Sequence, residues 1–169
     1  QFHLLDLGTG GGFPLLPIAM ALPDLQCTGL DATQKKIDAV ERIVDQLSLP
    51  NVTLLCGRVE QLAADHKHRE QYDFVTARAV APLNTLVEYA APLLKIGGQL
   101  MAWKSLKIHQ ELQDSLAARS ELSLHLVKSH EYELPGDWGR RQLLMFEKAA
   151  PTSKAYPRAV GEAKRKPLN

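Results

Sequence analysis

The fold of this 169-residue chain is decided by residues 6–14, which read DLGTGGGFP. The stretch follows Phe2–Leu7, a run typical of a buried strand, and it precedes a helical pattern that ends before Pro23. Glycines in a strand-to-helix turn let the backbone bend sharply and approach a ligand without intervening side chains. Ligands of open parallel sheets bind at the carboxyl ends of the strands, where this turn lies. The stretch therefore predicts a ligand site at that edge of a sheet.

Apolar runs and helical patterns alternate along the rest of the chain. Between the runs, apolar residues recur at spacings of three and four, which is the period of a helix. Such alternation with short loops predicts a parallel sheet joined by right-handed crossovers. Near the end, two long strand-like runs flank the turn-rich Pro135–Gly139 and predict an antiparallel pair. The predicted strands are residues 2–7, 26–30, 52–55, 74–77, 99–103, 122–133 and 141–148.

Length and composition exclude several classes of protein. At roughly 150 residues per domain, the chain should form one domain. No apolar run approaches the roughly 20 residues of a membrane span, which excludes an integral membrane protein. Cys27 and Cys56 have neither CxxC nor zinc-ligand spacing, so we expect free thiols in a reducing cytoplasm. His66 and His68 lie in a charged loop without a third ligand at a suitable spacing, so no metal site is expected.

The charge of the chain is unevenly distributed. Residues 151–169 hold five basic residues and one acidic residue, whereas residues 1–150 hold fifteen basic and eighteen acidic residues. We therefore divide the chain into a domain, 1–150, and a basic tail, 151–169, which its prolines should keep extended and mobile. The contrast suggests a polyanionic partner, although a merely solvated tail, or one anchored by Tyr156–Arg158, is the alternative. The candidate RNA contacts are Lys104 in the domain and Arg158, Lys164, Arg165 and Lys166 in the tail.

Two acidic residues accompany the glycine-rich turn. Asp6 stands two residues before Gly8, and Asp31 closes the second predicted strand, where a carboxylate suits the two hydroxyls of a ribose. S-adenosylmethionine carries a sulfonium, an ammonium and no phosphate, so it is compatible with both acids. The alternative ligand is a dinucleotide, but its G-x-G-x-x-G pattern fits only if Phe13 is ignored. Phe13-Pro14 also occupies the helix start that a pyrophosphate needs.

The DLGTGGGFP stretch resembles motif one of the class I methyltransferases. Together with Arg58–Glu60, Thr76–Ala81 and Tyr156–Arg158, it makes the chain similar to the RsmG family, also called glucose-inhibited division protein B. That family methylates guanine N7 in bacterial 16S ribosomal RNA. The resemblance implies a Rossmann-like three-layer α/β sandwich with a mostly parallel seven-stranded sheet and an antiparallel final strand. It also implies a helical N-terminal region, which we expect to be missing here because Gln1 leads directly into the first strand.

The resemblance also implies roles for individual residues. Gly8 and Phe13 would line the cofactor pocket, and Asp31, Ala32 and Thr33 would hold the ribose and adenosine end. Val59 and Glu60, expected in a loop after the third strand, would contact the adenine. Arg78 would face both the cofactor and the target base. With the acid and glycine of the first loop, the expected cofactor-binding set is Asp6, Gly8, Gly10, Phe13, Asp31, Ala32, Thr33, Val59, Glu60 and Arg78.

The residue types available narrow the reaction. Amino-group methyltransferases of this fold carry a D/N/S-P-P-Y/F motif after the fourth strand, but Asp73–Ala79 contains no Pro-Pro and no aromatic residue after Phe74. Methylation at pyrimidine C5 needs a nucleophilic cysteine, and both cysteines are expected in the core. Guanine N7 is an unprotonated lone pair, so its methylation needs mainly alignment. Arg78 and Lys104 are the candidate positioning residues, Phe13 is a candidate stacking surface, and no general base is expected.

The expected partner is 16S ribosomal RNA or the small ribosomal subunit, bound by a cytoplasmic monomer without a membrane. Arg140 and Arg141 either reach phosphate or protect an edge strand from aggregation. One alternative is a methyltransferase of the same fold that acts on a small molecule or a protein, which the basic tail disfavours. Another is a non-catalytic ribosome-assembly factor, which would not need the glycine turn and both acids.

Overall fold

The computed structural model describes residues 1–106 and 108–168, and it contains a seven-stranded sheet covered by helices. The strands are β1 (His3–Leu7), β2 (Gln26–Asp31), β3 (Val52–Cys56), β4 (Tyr72–Arg78), β5 (Leu94–Lys104), β6 (Leu124–Glu133) and β7 (Arg140–Lys148). The helices are α1 (Leu15–Ala21), α2 (Gln34–Leu47), α3 (Val59–Ala64), α4 (Leu83–Ala90), α5 (His109–Asp114), α6 (Leu116–Glu121) and α7 (Glu162–Arg165).

The strand order confirms the predicted sheet. It is β3-β2-β1-β4-β5-β7-β6, with parallel pairing from β3 to β5. Strand β7 inserts between β5 and β6 and is antiparallel to both. The order reverses at β1, whose neighbours are β2 and β4, and ligands of such sheets bind at the carboxyl ends next to the reversal. The fold therefore places the loops after β1 and β4 side by side.

The core consists of two apolar clusters. One contains Leu15 and Leu16 of α1 with Val40 of α2, and the other contains Leu86 of α4 with Ala118 of α6. Helices thus cover the sheet in two groups, which gives the predicted three layers. Within residues 1–106 and 108–168, every helix is too short or too polar to cross a bilayer.

Residues 151–168, here called the C-terminal segment, pack against the domain, so the prediction of an extended and mobile tail is wrong. The Arg69 guanidinium donates to the carbonyl oxygens of Thr152 (2.9 Å) and Tyr156 (2.7 Å). The Thr152 hydroxyl donates to the carbonyl of Ala91 at 3.0 Å, and Ala163 in α7 is buried. The prolines do prevent a long helix, but polar groups of the domain satisfy the backbone of the segment instead.

Candidate functional site

The glycine-rich turn between β1 and α1 is built from left-handed backbone. Gly8 has a φ of +64° and Gly12 a φ of +88°, values that other residues rarely adopt. A Cβ at Gly12 would also lie 2.5 Å from Leu16 Cδ1, and one at Gly8 would lie 3.1 Å from Val80 Cγ2. Glycine is therefore needed both for the turn and for its close approach to α1 and to the loop after β4.

A first cavity of about 380 Å³ opens where β1, β2 and β3 end. Five predicted cofactor residues line it, namely Gly8, Asp31, Ala32, Val59 and Glu60. The other lining residues were not predicted for this site, and Lys164 among them was predicted to contact RNA. They come from the ends of β1 and β2, the start of α3, the loop after β4, α4 and the C-terminal segment, and they are Leu7, Leu30, Gly57, Arg58, Val80, Ala81, Pro82, Tyr89, Val160, Gly161 and Lys164.

Asp31 organises the polar edge of the first cavity. Its Oδ2 accepts the amide N–H of Gly10 at 3.1 Å, and its Oδ1 accepts that of Thr33 at 2.9 Å. The Lys36 ammonium lies 3.7 Å from Oδ2. Gly10 and Thr33 are outside the lining of the cavity, and they act on it by orienting this buried carboxylate.

Asp6 is buried beneath the turn and has one unsatisfied oxygen. Its Oδ1 accepts a 2.7 Å hydrogen bond from the Thr76 hydroxyl, whereas Oδ2 makes no well-formed hydrogen bond among the described residues. The buried Thr9 hydroxyl also makes no well-formed hydrogen bond within the described part of the chain, although it and the Leu15 backbone N–H stabilise the Asp6 carboxylate. Burial raises the pKa of Asp6 from 3.8 to about 6. Unsatisfied buried polar atoms need an explanation, and a ligand with a cationic group fits this one.

Val59 and Glu60 occupy the first turn of α3 rather than the loop that the sequence predicted. Glu60 is 7% exposed, and its Oε1 accepts the amide N–H of Gly161 at 2.8 Å. Glu60 lies at the start of a helix, where an acidic side chain could act as a cap. The start of α3 has no capping hydrogen bond from a side chain among the described residues. The carboxylate instead joins the cavity to the C-terminal segment.

A second cavity of about 490 Å³ lies on the other side of the glycine-rich turn and includes three predicted site residues, Phe13, Arg78 and Lys104. Phe13 is 54% exposed and lines this cavity instead of the first one. Arg78 is exposed at the end of β4, and its positive charge acts on Asp6. The remaining lining residues are Pro14, Pro17, Ala79, Trp103, Ser105, Tyr132, Leu134 and Arg141.

Lys104 does not present a free ammonium to this cavity. Its Nζ donates to the carbonyl of Ala81 at 2.9 Å and forms a short ion pair with Glu111. Glu111 also accepts the amide N–H of Leu83 at 2.8 Å. The expectation that Lys104 contacts RNA phosphate is therefore corrected, because its charge is neutralised within the protein and ties the loop after β4 to α5.

Arg158 is likewise engaged within the protein. Its Nη2 lies 2.5 Å from Glu88 Oε2 and its Nε lies 2.9 Å from Glu88 Oε1, and this carboxylate is 1% exposed. The hydrogen bonds to Glu88 raise the pKa of Arg158 further above its usual value. The prediction that Arg158 binds RNA is corrected accordingly, and the alternative of a structural anchor fits the structure. Arg165 and Lys166 are exposed.

The two cysteines differ in their surroundings. Cys27 is buried in β2, and burial raises the pKa of its thiol to about 11, which makes it unreactive. Cys56 is exposed at the end of β3, so its prediction as a core residue is wrong. It lies outside the linings of both cavities. Among the described residues, no group of histidine, cysteine or acidic side chains could hold a metal ion.

Comparison with known proteins identifies a consistent group of relatives. Residues 1–143 match the profile of the family described as rRNA small subunit methyltransferase G (GidB). A ribosomal RNA small subunit methyltransferase G from Leuconostoc mesenteroides is 40% identical over 167 residues, which is 98% of this chain and 69% of the relative. The protein of the same name from Deinococcus radiodurans is 42% identical over 168 residues, covering 99% of this chain and 66% of the relative.

Solved structures of similar fold are also methyltransferases. An antibiotic-resistance methyltransferase, Kmr, superposes with a TM-score of 0.71 at 20% identity and covers 89% of this chain and 88% of its own. A 16S rRNA (adenine(1408)-N(1))-methyltransferase from Catenulisporales acidiphilia gives a TM-score of 0.71 at 15% identity, covering 90% of this chain and 87% of its own. At such identities the likeness establishes the class I methyltransferase fold.

Proposed function

The chain belongs to the rRNA small subunit methyltransferase G family, and we propose that it methylates guanine N7 in 16S ribosomal RNA with S-adenosylmethionine as the methyl donor. The observation that carries the proposal is the pair of cavities on either side of the glycine-rich turn. The first has the carboxylates of Asp31 and Glu60 in its lining, whereas the second has, among the described side chains, aromatic and basic ones but no acidic one. Residues of the same two loops, 8–14 and 78–82, line both cavities.

The first cavity has the side chains to hold the cofactor, which supplies an activated methyl group when bound. Asp31 has a buried carboxylate with acceptor capacity for ribose hydroxyls. Val59 provides an apolar surface, and Glu60 an acceptor, for the adenine. Asp6 lies beneath the glycine-rich turn rather than in the lining of the cavity, and its buried carboxylate is proposed to attract the ammonium of the amino-acid end. The predicted residues Gly8, Gly10, Ala32 and Thr33 are retained with them as part of the proposal, whereas Phe13 and Arg78 are assigned to the second cavity.

The second cavity is the proposed site of the guanine base. Its aromatic residues Phe13, Trp103 and Tyr132 offer stacking surfaces of the kind that hold unpaired RNA bases. The exposed guanidiniums of Arg78 and Arg141 can donate to guanine O6 or to phosphate. Phe13 and Arg78, which were predicted beside the cofactor, are in this proposal placed between cofactor and base.

Methyl transfer to N7 asks little acid–base chemistry of the protein. The N7 lone pair carries no proton at neutral pH, so the residues of the site need to hold the base in line with the methyl group and exclude alternatives. Arg78 is the proposed positioning residue. Lys104 positions the loop after β4 through Ala81 and Glu111 rather than touching the base.

The substrate is proposed to be 16S ribosomal RNA, free or within the small subunit, and the protein to act as a monomer in the cytoplasm. The exposed Arg165 and Lys166, with Arg78 and Arg141, are the proposed RNA contacts. A non-catalytic assembly factor would gain nothing from burying Asp6, because burial raises the pKa of this carboxyl and so destabilises the folded protein at neutral pH.

Nucleoside mapping tests the proposed reaction. Small subunits from cells lacking the protein should be incubated with the chain and S-adenosylmethionine carrying an isotopically labelled methyl group, and the RNA digested for mass spectrometry. The label should appear as 7-methylguanosine, and an Arg78→Ala variant should reduce its yield without losing cofactor binding. Label in an adenine or a pyrimidine would refute the assigned base, and label confined to protein or small molecules would refute RNA as the substrate.

A further inference from the structure

The C-terminal segment supplies part of the first cavity. Val160, Gly161 and Lys164 line it beside Glu60 and Asp31. These three residues lie beyond residues 1–143, the part of the chain that the family profile matches. Of these three residues, only Lys164 had a predicted role, which was to contact RNA.

Several hydrogen bonds fix this part of the segment in place. Arg158 is bound to the buried Glu88, and the amide N–H of Gly161 donates to Glu60 Oε1 at 2.8 Å. The Thr85 hydroxyl of α4 donates to the carbonyl of Ala163 at 3.3 Å. Because these contacts come from α3 and α4, the segment is held against the same elements that form the adenine side of the cavity. These hydrogen bonds give the segment a defined position at the edge of the cavity.

We propose that residues 158–164 form the wall of the cofactor site at its adenosine end and that Lys164 is a cofactor-binding residue. The proposal rests on the proposed function, which places adenosine between Asp31 and Glu60. Val160 is 45% exposed, so its side chain is available to cover an adenine face. The Lys164 ammonium donates to a ring nitrogen of the purine and offsets the negative charge of the two carboxylates.

The position of Glu60 explains why the wall belongs to the adenosine end. Its carboxylate accepts the N–H of Gly161 and interacts with the Tyr89 hydroxyl, and a carboxylate has acceptor capacity left beyond these two for the exocyclic amine of a purine. A bound purine would therefore share Glu60 with the C-terminal segment. Because the bond from Gly161 orients the carboxylate that the purine would use, cofactor binding and docking of the segment should be coupled.

Calorimetry with two ligands tests the assignment of Lys164. S-adenosylhomocysteine and 5′-methylthioadenosine share the adenosine end, but only the first has the amino-acid end. Lys164→Gln should weaken both ligands by the same factor, about threefold to tenfold, which is the range for loss of one hydrogen bond. Lys166→Gln is the matched control, because it removes the same charge from the same exposed segment outside the lining of the cavity. It should leave both affinities unchanged.

The outcomes separate this proposal from the proposed function. If neither ligand binds the wild-type chain, the cofactor assignment itself is wrong. If both ligands bind the wild-type chain and the Lys164→Gln and Lys166→Gln variants have the same affinities for them, Lys164 is not a cofactor-binding residue. Loss of S-adenosylhomocysteine affinity alone would place Lys164 at the amino-acid end and overturn the adenosine assignment.

Hydrogen exchange on the unmodified protein tests the wall without any substitution. Saturating 5′-methylthioadenosine should slow exchange of the amides in residues 158–164, with Gly161 slowed most because its N–H is bound to Glu60. Amides of the β6–β7 hairpin, which lies outside the cavity lining, serve as the internal reference. Protection confined to the loops after β1, β2 and β3 would show that the C-terminal segment is not part of the site.

Discussion

Replacing Asp6 with asparagine should change how the stability of the unliganded protein depends on pH. Asp6 is 1% exposed, and burial raises its pKa from 3.8 to about 6. Between these two values the native carboxyl keeps a proton that the unfolded chain has already released. The native state therefore binds more protons than the unfolded state, and the contribution of Asp6 makes the protein less stable as the pH rises.

The size of the effect follows from the pKa. A difference of about 2 units corresponds to roughly 3 kcal/mol of unfolding free energy, most of which is lost between pH 4 and pH 7. Asparagine has the same shape, can still accept the hydrogen bond of the Thr76 hydroxyl, and does not titrate in this range. The unfolding free energy of Asp6→Asn minus that of wild type should thus become more favourable by about 2 kcal/mol or more from pH 4 to pH 7.5.

Urea denaturation at a series of pH values measures this difference, since the titration of all other groups is common to both proteins. Asp24→Asn is the matched control, because Asp24 is exposed in the loop before β2 and the same charge is removed without a buried site. Its difference from wild type should vary little with pH. In parallel, Asp6→Asn should weaken S-adenosylhomocysteine but not 5′-methylthioadenosine, which lacks the ammonium. A pH-independent stability difference, or equal weakening of both ligands, would refute the reasoning.

Three further predictions concern the site and its support. Asp31→Ala should weaken S-adenosylhomocysteine binding about tenfold or more, because charge-assisted hydrogen bonds are lost, and calorimetry showing unchanged affinity would remove Asp31 from the site. Arg158→Ala should lower the unfolding free energy by about 3 kcal/mol, because it leaves the buried Glu88 without its partner. The salt dependence of RNA binding should stay as in wild type, and a flatter dependence would show that Arg158 is an RNA contact. The single-turnover rate of methyl transfer at saturating cofactor and RNA should be nearly constant between about pH 6.5 and 8.5, and a steep rise would indicate a titrating general base.

Local patterns predicted the sheet and much of the site. Alternating apolar runs and helical periods depend only on residues that are close in sequence. The need for glycine at Gly8 is also local, because it follows from the positive φ of the turn. Asp31 was predicted because it directly follows a strand, and all parallel strands end at the same edge of the sheet. Periodicity and turn chemistry thus suffice wherever a position in the sequence implies a position in the sheet.

The partners of charged side chains were not predictable in this way. Arg158 lies 70 residues from Glu88, and Gly161 lies 101 residues from Glu60, so neither contact has a local signature. Lys104 and Glu111 are only seven residues apart, but their pairing depends on how the chain turns between β5 and α5. A count of charges predicts attraction to a polyanion, and it cannot tell which charges the fold itself has already neutralised.

Charged side chains that are paired within the protein are not available to attract the RNA. In the sequence, residues 151–169 are net positive and residues 1–150 are net negative. In the structure, two acidic side chains of the domain, Glu88 and Glu60, bind Arg158 and the backbone of Gly161 in the C-terminal segment. Arg158 neutralises Glu88, and Lys164 lines the first cavity together with Asp31 and Glu60. Part of the charge asymmetry, the Arg158–Glu88 pair, is therefore an internal complementarity that helps to dock the C-terminal segment. Under the proposed function, attraction to phosphate falls instead to the exposed guanidiniums beside the second cavity and to Arg165 and Lys166, so we expect RNA affinity to depend on those charges and cofactor affinity on Lys164.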